Sequence, residues 1–259
     1  MTRKLAVITG ASTGLGYQLA RLAAQDGHDL IIVADEDAIH TAADKLRRLG
    51  AAVDAQVIDL SGRQGVTAFW DMIGEREVDL FVLNAGRALG HAFDEQDWPD
   101  VKRLVDLNIL QTTSVLHTAG TRMHKRGTGR ILLTGSIGGY VPGPFDAIYN
   151  ATKAYLDSLC YALQEEWKDS EVTLTCLMPG PTETPLFQRD DNDLQEAPIT
   201  GKAKYDPVMV AEQGYAAAMS GARRAVPGFA SKVITMFASI VPDEMLSRIH
   251  RRGADPVED

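Results

Sequence analysis

Tyr149 and Lys153 stand four residues apart in Tyr-Asn-Ala-Thr-Lys, and Ser136 lies thirteen residues upstream of the tyrosine in Leu-Thr-Gly-Ser-Ile. Four residues is about one turn of helix, so the phenol and the ammonium share a face. A free tyrosine, with a pKa of ~10, is a poor acid or base at neutral pH. A nearby ammonium favours the phenolate and lowers that pKa. Two unit charges ~4 Å apart at an effective dielectric of ~20 interact by ~4 kcal/mol, or ~3 pH units. The pair is therefore expected to bring Tyr149 towards neutral pH and to make it a proton donor and acceptor. A surface Tyr and Lys at helical spacing is a common pattern, so the reading depends on what surrounds the pair.

Near the start of the chain, Leu5 to Ile8 form an apolar run that leads into Thr9-Gly10-Ala11-Ser12-Thr13-Gly14-Leu15-Gly16. A helical pattern follows, with Leu15, Leu19, Leu22 and Ala23 on one side. Strand, glycine turn and helix N-terminus together make an anion site, because free N–H groups and the helix dipole point at a phosphate. Gly10 and Gly14 permit the tight turn, and Gly16 permits close helix–strand packing.

In order along the chain come Thr-Gly-x-x-x-Gly-x-Gly, Asn84-Ala85-Gly86, Asn108, Ser136, Tyr149-x-x-x-Lys153 and Pro179-Gly180. This series resembles the short-chain dehydrogenase/reductase family over roughly residues 4 to 185. The resemblance implies that Ser136 donates to the substrate carbonyl oxygen and that Tyr149 exchanges the proton on that oxygen. It implies that Lys153 bonds the nicotinamide ribose and stabilises the phenolate. It further implies that Asn108 kinks its helix and holds a water linking Lys153 to solvent. Of the cofactor contacts, it assigns Gly10, Ser12, Thr13, Gly14, Leu15 and Gly16 to the pyrophosphate turn. Asp59 and Leu60 go to the adenine, and Asn84, Ala85 and Gly86 to an open channel in which Asn84 braces the sheet. Pro179, Gly180, Thr182 and Thr184 go to the nicotinamide end.

Coenzyme choice rests on Ala34-Asp35-Glu36. Counted from Gly16, Ala34 takes the place where NAD-using relatives usually carry aspartate, and Asp35 the place where NADP-using relatives often carry arginine. The chain matches neither pattern. Two carboxylates repel a 2′-phosphate, whereas a carboxylate accepts from a ribose 2′-hydroxyl. No Lys or Arg follows before Lys45, and the glycine turn carries none. NAD is expected over NADP.

Strand-like runs at Leu5–Thr9, Asp29–Ala34, Ala52–Ile58, Leu80–Asn84, Gly129–Gly135 and Thr173–Met178 alternate with helical patterns. Their continuous hydrophobicity predicts strands buried on both faces. The expected fold is α/β: one Rossmann-like, doubly wound parallel sheet with helices on both faces, and a single domain over residues 1–259. A net charge of −9 argues against nucleic acid as a partner, and 45% apolar residues suit a soluble globular chain. Two cysteines, Cys160 and Cys176, no leader pattern and no apolar run of ~18 residues point to the cytoplasm and against stable membrane insertion. The six histidines lie apart without ligand spacing, so no metal is expected.

The stretch from about 187 to 205 matches a substrate loop in position. Together with Arg87–Trp98 and Gly138–Asp146 it is expected to set specificity, and Phe93, Trp98, Tyr140, Phe145 and Phe187 suggest a partly apolar pocket. A C-terminal helical segment from about 229 to 252 carries an apolar face and basic neighbours, and is expected to pack on its own domain or a second subunit. The helices from Val101 to Arg126 and from Tyr149 to Trp167 carry Val115, Leu116, Leu156, Leu159 and Tyr161 beyond one face. In the resembled family these helices pair across a two-fold axis, which implies a homodimer or homotetramer. The sequence thus predicts an oxidoreductase for a ketone or secondary alcohol. A non-catalytic dinucleotide-binding sensor or scaffold of the same fold is the alternative, and it would not need Ser136, Tyr149, Lys153 and Asn108 together.

Overall fold

The computed structural model describes residues 3–184, 186, 204–238 and 241–254. Among them, seven parallel strands form one sheet in the order β3-β2-β1-β4-β5-β6-β7. The strands are β1 (Leu5–Thr9), β2 (Asp29–Ala34), β3 (Val53–Val57), β4 (Leu80–Leu83), β5 (Gly129–Thr134), β6 (Val172–Leu177) and β7 (Arg224–Ala225). Six lie within two residues of their predicted bounds; β7, with two residues, is too short to leave a pattern. The helices are α1 (Gly14–Gln25), α2 (Ala38–Arg47), α3 (Arg63–Ile73), α4 (Trp98–Val105), α5 (Thr112–Arg126), α6 (Ala147–Glu166), α7 (Pro207–Ser220), α8 (Phe229–Phe237) and α9 (Asp243–Ala254).

Successive side chains along each strand feed opposite faces. Val7, Ile31, Phe81 and Ile131 join one core with Phe69 of α3, Leu116 of α5 and Leu156 of α6. Ala6, Ile8, Ile32 and Val82 join the other with Leu19 of α1, Ile39 of α2 and Val210 of α7. Both sets are needed, which is why the strands read as continuous apolar runs. β3 differs: as the edge strand it leaves Asp54, Gln56 and Val57 exposed.

β1 pairs with β2 on one side and β4 on the other, Ile8 opposite Ile32 and Val82. Strand order reverses there, and such a switch point opens a crevice at the strands' carboxyl ends. Of the five residues expected to line a subunit interface, Val115, Leu116 and Leu156 are instead 2% exposed or less, packed into their own core. Leu159 and Tyr161 are half-buried against it. The exposed apolar residues on these helical segments are Leu110 and Tyr155. The predicted substrate loop lies outside the described residues except for 204 and 205, and Phe187 lies outside them too.

Candidate active site

The cleft at the switch point encloses about 1570 Å³ including its open mouth. Gly10 has φ +66° and turns the chain at the end of β1. A Cβ on Gly16 would overlap the Gly10 carbonyl and come within 2.6 Å of Asn84 Nδ2. The backbone can therefore come this close only without a side chain. Thr13 precedes α1 without a side-chain cap, so the helix start is open. Asn84 Nδ2 donates to the carbonyls of Thr9 (3.3 Å) and Gly10 (3.2 Å), and Thr134 Oγ1 donates to Asn84 Oδ1 (3.3 Å). The asparagine thus braces β1, β4 and β5.

Every residue predicted to contact cofactor lines the cleft except Ser12. The Ser12 hydroxyl instead donates to Glu36 Oε1. At the far end the structure supplies a cation that sequence neighbours did not offer. Arg103 of α4 places Nη2 3.0 Å from Asp59 Oδ2 and 3.5 Å from Asp35 Oδ2. Burial opposes ionisation of Asp59, but hydrogen bonds from Ser61 and the Arg103 guanidinium hold its carboxyl below the usual range.

At the opposite end, β5 and α6 bring the reactive side chains together. Tyr149 and Lys153 lie on the first turns of α6, both buried, with Nζ 5.6 Å from the phenol ring centre. Lys153 Nζ donates to the Thr134 carbonyl (2.9 Å). Ser136 follows β5 and starts a short 3₁₀ turn, Ile137–Tyr140, its Oγ accepting from Gly138 N (3.0 Å). Asn108 sits in a π-helical turn, Asp106–Gln111, which is the predicted break in the helix. Its side chain is fully engaged: Oδ1 accepts from Arg87 N (2.9 Å), while Nδ2 donates to Arg87 O (2.9 Å) and Thr152 Oγ1 (3.1 Å).

The electrostatics correct one expectation. Tyr149 is not pulled towards neutral pH in the chain alone. Burial pushes its phenol well above the usual range; a hydrogen bond with Ser136 works against this, and the carboxylates of Asp146 and Asp157 add to it. Lys153 is itself drawn down to about 8 by burial, against the attraction of Asp157. Desolvation outweighs the pairwise attraction that spacing suggested. Asp157, 5% exposed, lies behind the site and is pushed up to about 7 by burial.

Other expectations change as well. Phe93 and Trp98 are exposed, and neither they nor Tyr140 and Phe145 line the cleft. Tyr140 instead points below it, its hydroxyl 2.9 Å from that of Tyr161. The apolar lining comes from Ile137, Val141, Leu186 and Ile234. Ile234 belongs to α8 and His250 to α9, so the C-terminal segment forms one wall. Nothing in the spacing of His250 signalled this. Asp146, three residues before Tyr149, also lines the cleft.

Compared with known families, residues 4–195 match that of the short chain dehydrogenases. The chain is 33% identical over 217 residues to oxidoreductase UcpA of Salmonella typhimurium, spanning 80% of this chain and 82% of that protein. It superposes with a TM-score of 0.81, at 26% identity, on a short-chain dehydrogenase from Sphingobium yanoikuyae in complex with NADPH, covering 92% and 93% of the two chains. It shares its fold with one from Burkholderia phymatum solved with NAD, at a TM-score of 0.80 and 23% identity over 99% and 98% of the chains.

Proposed function

The chain belongs to the short-chain dehydrogenase family, and from that premise we propose that it interconverts a ketone and a secondary alcohol on a small molecule, with NAD favoured over NADP. The observation that carries the reading is the meeting of Ser136, Tyr149 and Lys153 at one end of a cleft whose other end holds the Gly10–Gly16 turn, Asp35 and Asp59. A non-catalytic binder would need only the second half. The glycine cradle suits a dinucleotide, since side chains at Gly10 or Gly16 would fill it. Bound nicotinamide supplies or accepts the hydride.

The chain's own residues supply the rest. Ser136 Oγ hydrogen-bonds the substrate oxygen and orients the carbonyl. Tyr149, kept neutral by burial, carries the proton that this oxygen takes up on reduction. Lys153 bonds the ribose and stabilises the phenolate once the proton has left. Asn108 holds Arg87 and Thr152, and its helix break supports a water path to Lys153. For the coenzyme, Asp35 accepts from a ribose 2′-hydroxyl. Arg103 is shared between Asp35 and Asp59, which leaves little of its charge for a 2′-phosphate. A homodimer or homotetramer through α5 and α6 accords with the exposed Leu110, in the turn before α5, and Tyr155 of α6. A reducing cytoplasm suits Cys160 and Cys176, both buried and unbridged.

The test follows absorbance at the nicotinamide band over a panel of ketones and alcohols, with each coenzyme. Turnover is expected, and Tyr149→Phe should remove nearly all of it while cofactor affinity stays within about threefold. Full activity in Tyr149→Phe would refute the assignment. Lys153→Ala should lose turnover and cofactor affinity together.

A further inference from the structure

Asp157 stands four residues after Lys153, as Lys153 stands four after Tyr149. Phenol, ammonium and carboxyl therefore succeed one another along one face of α6, and all three are buried. The proton chemistry above uses the first two and leaves the third aside. A carboxyl in this position is costly to ionise unless its neighbours hold the charge.

The packing fixes where this carboxyl lies. A Cβ on Gly135 would overlap Asp157 Oδ1, and a Cβ on Gly139 would overlap Oδ2. These glycines stand on either side of Ser136 and its 3₁₀ turn, so the carboxyl fills the space that their missing side chains leave beneath it. There it accepts from the Ser136 backbone N–H and from Cys176 Sγ (3.4 Å). Lys153 reaches the same strand end from one helical turn earlier, its Nζ donating to the Thr134 carbonyl (2.9 Å). Ammonium and carboxyl thus press on adjacent residues, Thr134 and Gly135. Both side chains are shielded from solvent, where charges are screened little.

Cys176 and Tyr140 also face Asp157, and both keep their protons at neutral pH. The Cys176 thiol is raised well above its usual range by its bond with Cys160 and by burial. Tyr140 is raised by burial and by its bond with Tyr161, with Arg224 working against this. The Asp157 carboxylate attracts the Lys153 ammonium and repels a Tyr149 phenolate. Both effects make proton loss harder. Asp146, itself pushed up to about 6 by burial, adds to the second.

We propose that Asp157 is a positioning residue of the active site: its carboxylate holds the Ser136 turn against α6 and retains the protons that Tyr149 and Lys153 carry. It touches neither substrate nor cofactor and acts through these three residues. Its kinetic consequences rest on the oxidoreductase reading, whereas its hold on the Lys153 proton is read without turnover. Two neutral variants separate the parts. Asp157→Asn keeps the shape and an acceptor for the Ser136 N–H while removing the charge. Asp157→Ala removes both.

The test follows kcat/KM for ketone reduction and alcohol oxidation from about pH 5 to about pH 10 at saturating coenzyme. The midpoint at which reduction falls and the midpoint at which oxidation rises should both move to lower pH, by about one pH unit, in either variant. Asp157→Ala should in addition lose about tenfold or more in kcat at every pH, through the slackened Ser136 turn. In parallel, the ¹³Cε resonance of Lys153 is titrated in ¹³C-lysine protein and identified by its loss in Lys153→Ala. Its midpoint should also fall by about one pH unit in the variants. If only one variant folds, it carries the midpoint test. If neither folds, the wild-type resonance decides: it should respond to the ionisation of Asp157 near pH 7 as well as to its own, and a response to its own alone overturns the proposal. Turnover that falls equally at every pH, with midpoints and resonance unmoved, overturns it and leaves the oxidoreductase reading intact, as does an Asp157→Ala no slower than Asp157→Asn. No turnover of any ketone or alcohol, with the resonance shifted as expected, sinks the oxidoreductase reading and leaves the hold on the Lys153 proton standing.

Discussion

Asp157→Asn isolates the cost of one buried carboxylate. Asp157 Oδ1 accepts from Cys176 Sγ (3.4 Å), and the side chain also takes the backbone N–H of Ser136. Oδ2 has no partner among the described residues. Burial raises the carboxyl from 3.8, the bonds from Cys176 and Ser136 and the charge of Lys153 recover only part of that, and the result is about 7. The folded chain therefore keeps this proton up to about pH 7, while the unfolded chain releases it near pH 4. Stability is lost as pH rises through that window and is constant above it. The gap, at about 1.4 kcal/mol per pH unit, amounts to about 4 kcal/mol. Asparagine has nearly the same shape, keeps one acceptor and cannot ionise. Its advantage over the wild type should grow by about 2 kcal/mol between pH 5 and pH 7 and level off near pH 8. Urea unfolding at four pH values measures this, and the parallel slope from Asp146 cancels in the difference. Stability curves that stay parallel across the window would refute the raised titration of the buried Asp157. In the same variant Lys153 loses the attraction that helps it keep its proton. The basic limb of the pH–activity profile should then move to lower pH.

Gly16→Ala should lower stability by about 1–3 kcal/mol and weaken dinucleotide binding, because the new methyl meets the Gly10 carbonyl and Asn84 Nδ2; wild-type Tm and affinity in this variant would contradict the close approach. NAD should bind more tightly than NADP in fluorescence titrations, and Asp35→Arg should shift the preference towards NADP. Tighter NADP binding by the unmodified chain rules the assignment out. Arg103→Ala should sharpen the preference for NAD, since it removes a cation beside Asp35 and Asp59. Light scattering should give a dimer or tetramer, and a mass near 28.1 kDa would end that proposal. Leu110→Asp and Tyr155→Asp should dissociate the oligomer with little loss of protomer stability, because both side chains are exposed in the single chain.

What the sequence determined by itself was whatever short-range pattern encodes. Strands buried on both faces appear as continuous apolar runs, so six of seven were legible, and a two-residue strand such as β7 was not. Tyr149 and Lys153 are one helical turn apart, and Gly10 to Gly16 occupy a single strand–helix junction. Their proximity follows from local geometry alone. The tertiary structure decided everything that depends on which distant surfaces meet and how much water is left between them. Arg103 meets Asp35 and Asp59 only because the fold brings its side chain to the residues that follow β2 and β3. His250 joins the cleft only because α9 folds back over the Gly143–Asp146 turn. The three apolar residues Val115, Leu116 and Leu156 could have faced a partner or their own sheet, and only packing chose the sheet. The same holds for ionisation. Spacing placed an ammonium near a phenol and predicted a lowered pKa, whereas desolvation, a property of the whole surrounding volume, raises that of Tyr149 and lowers that of Lys153.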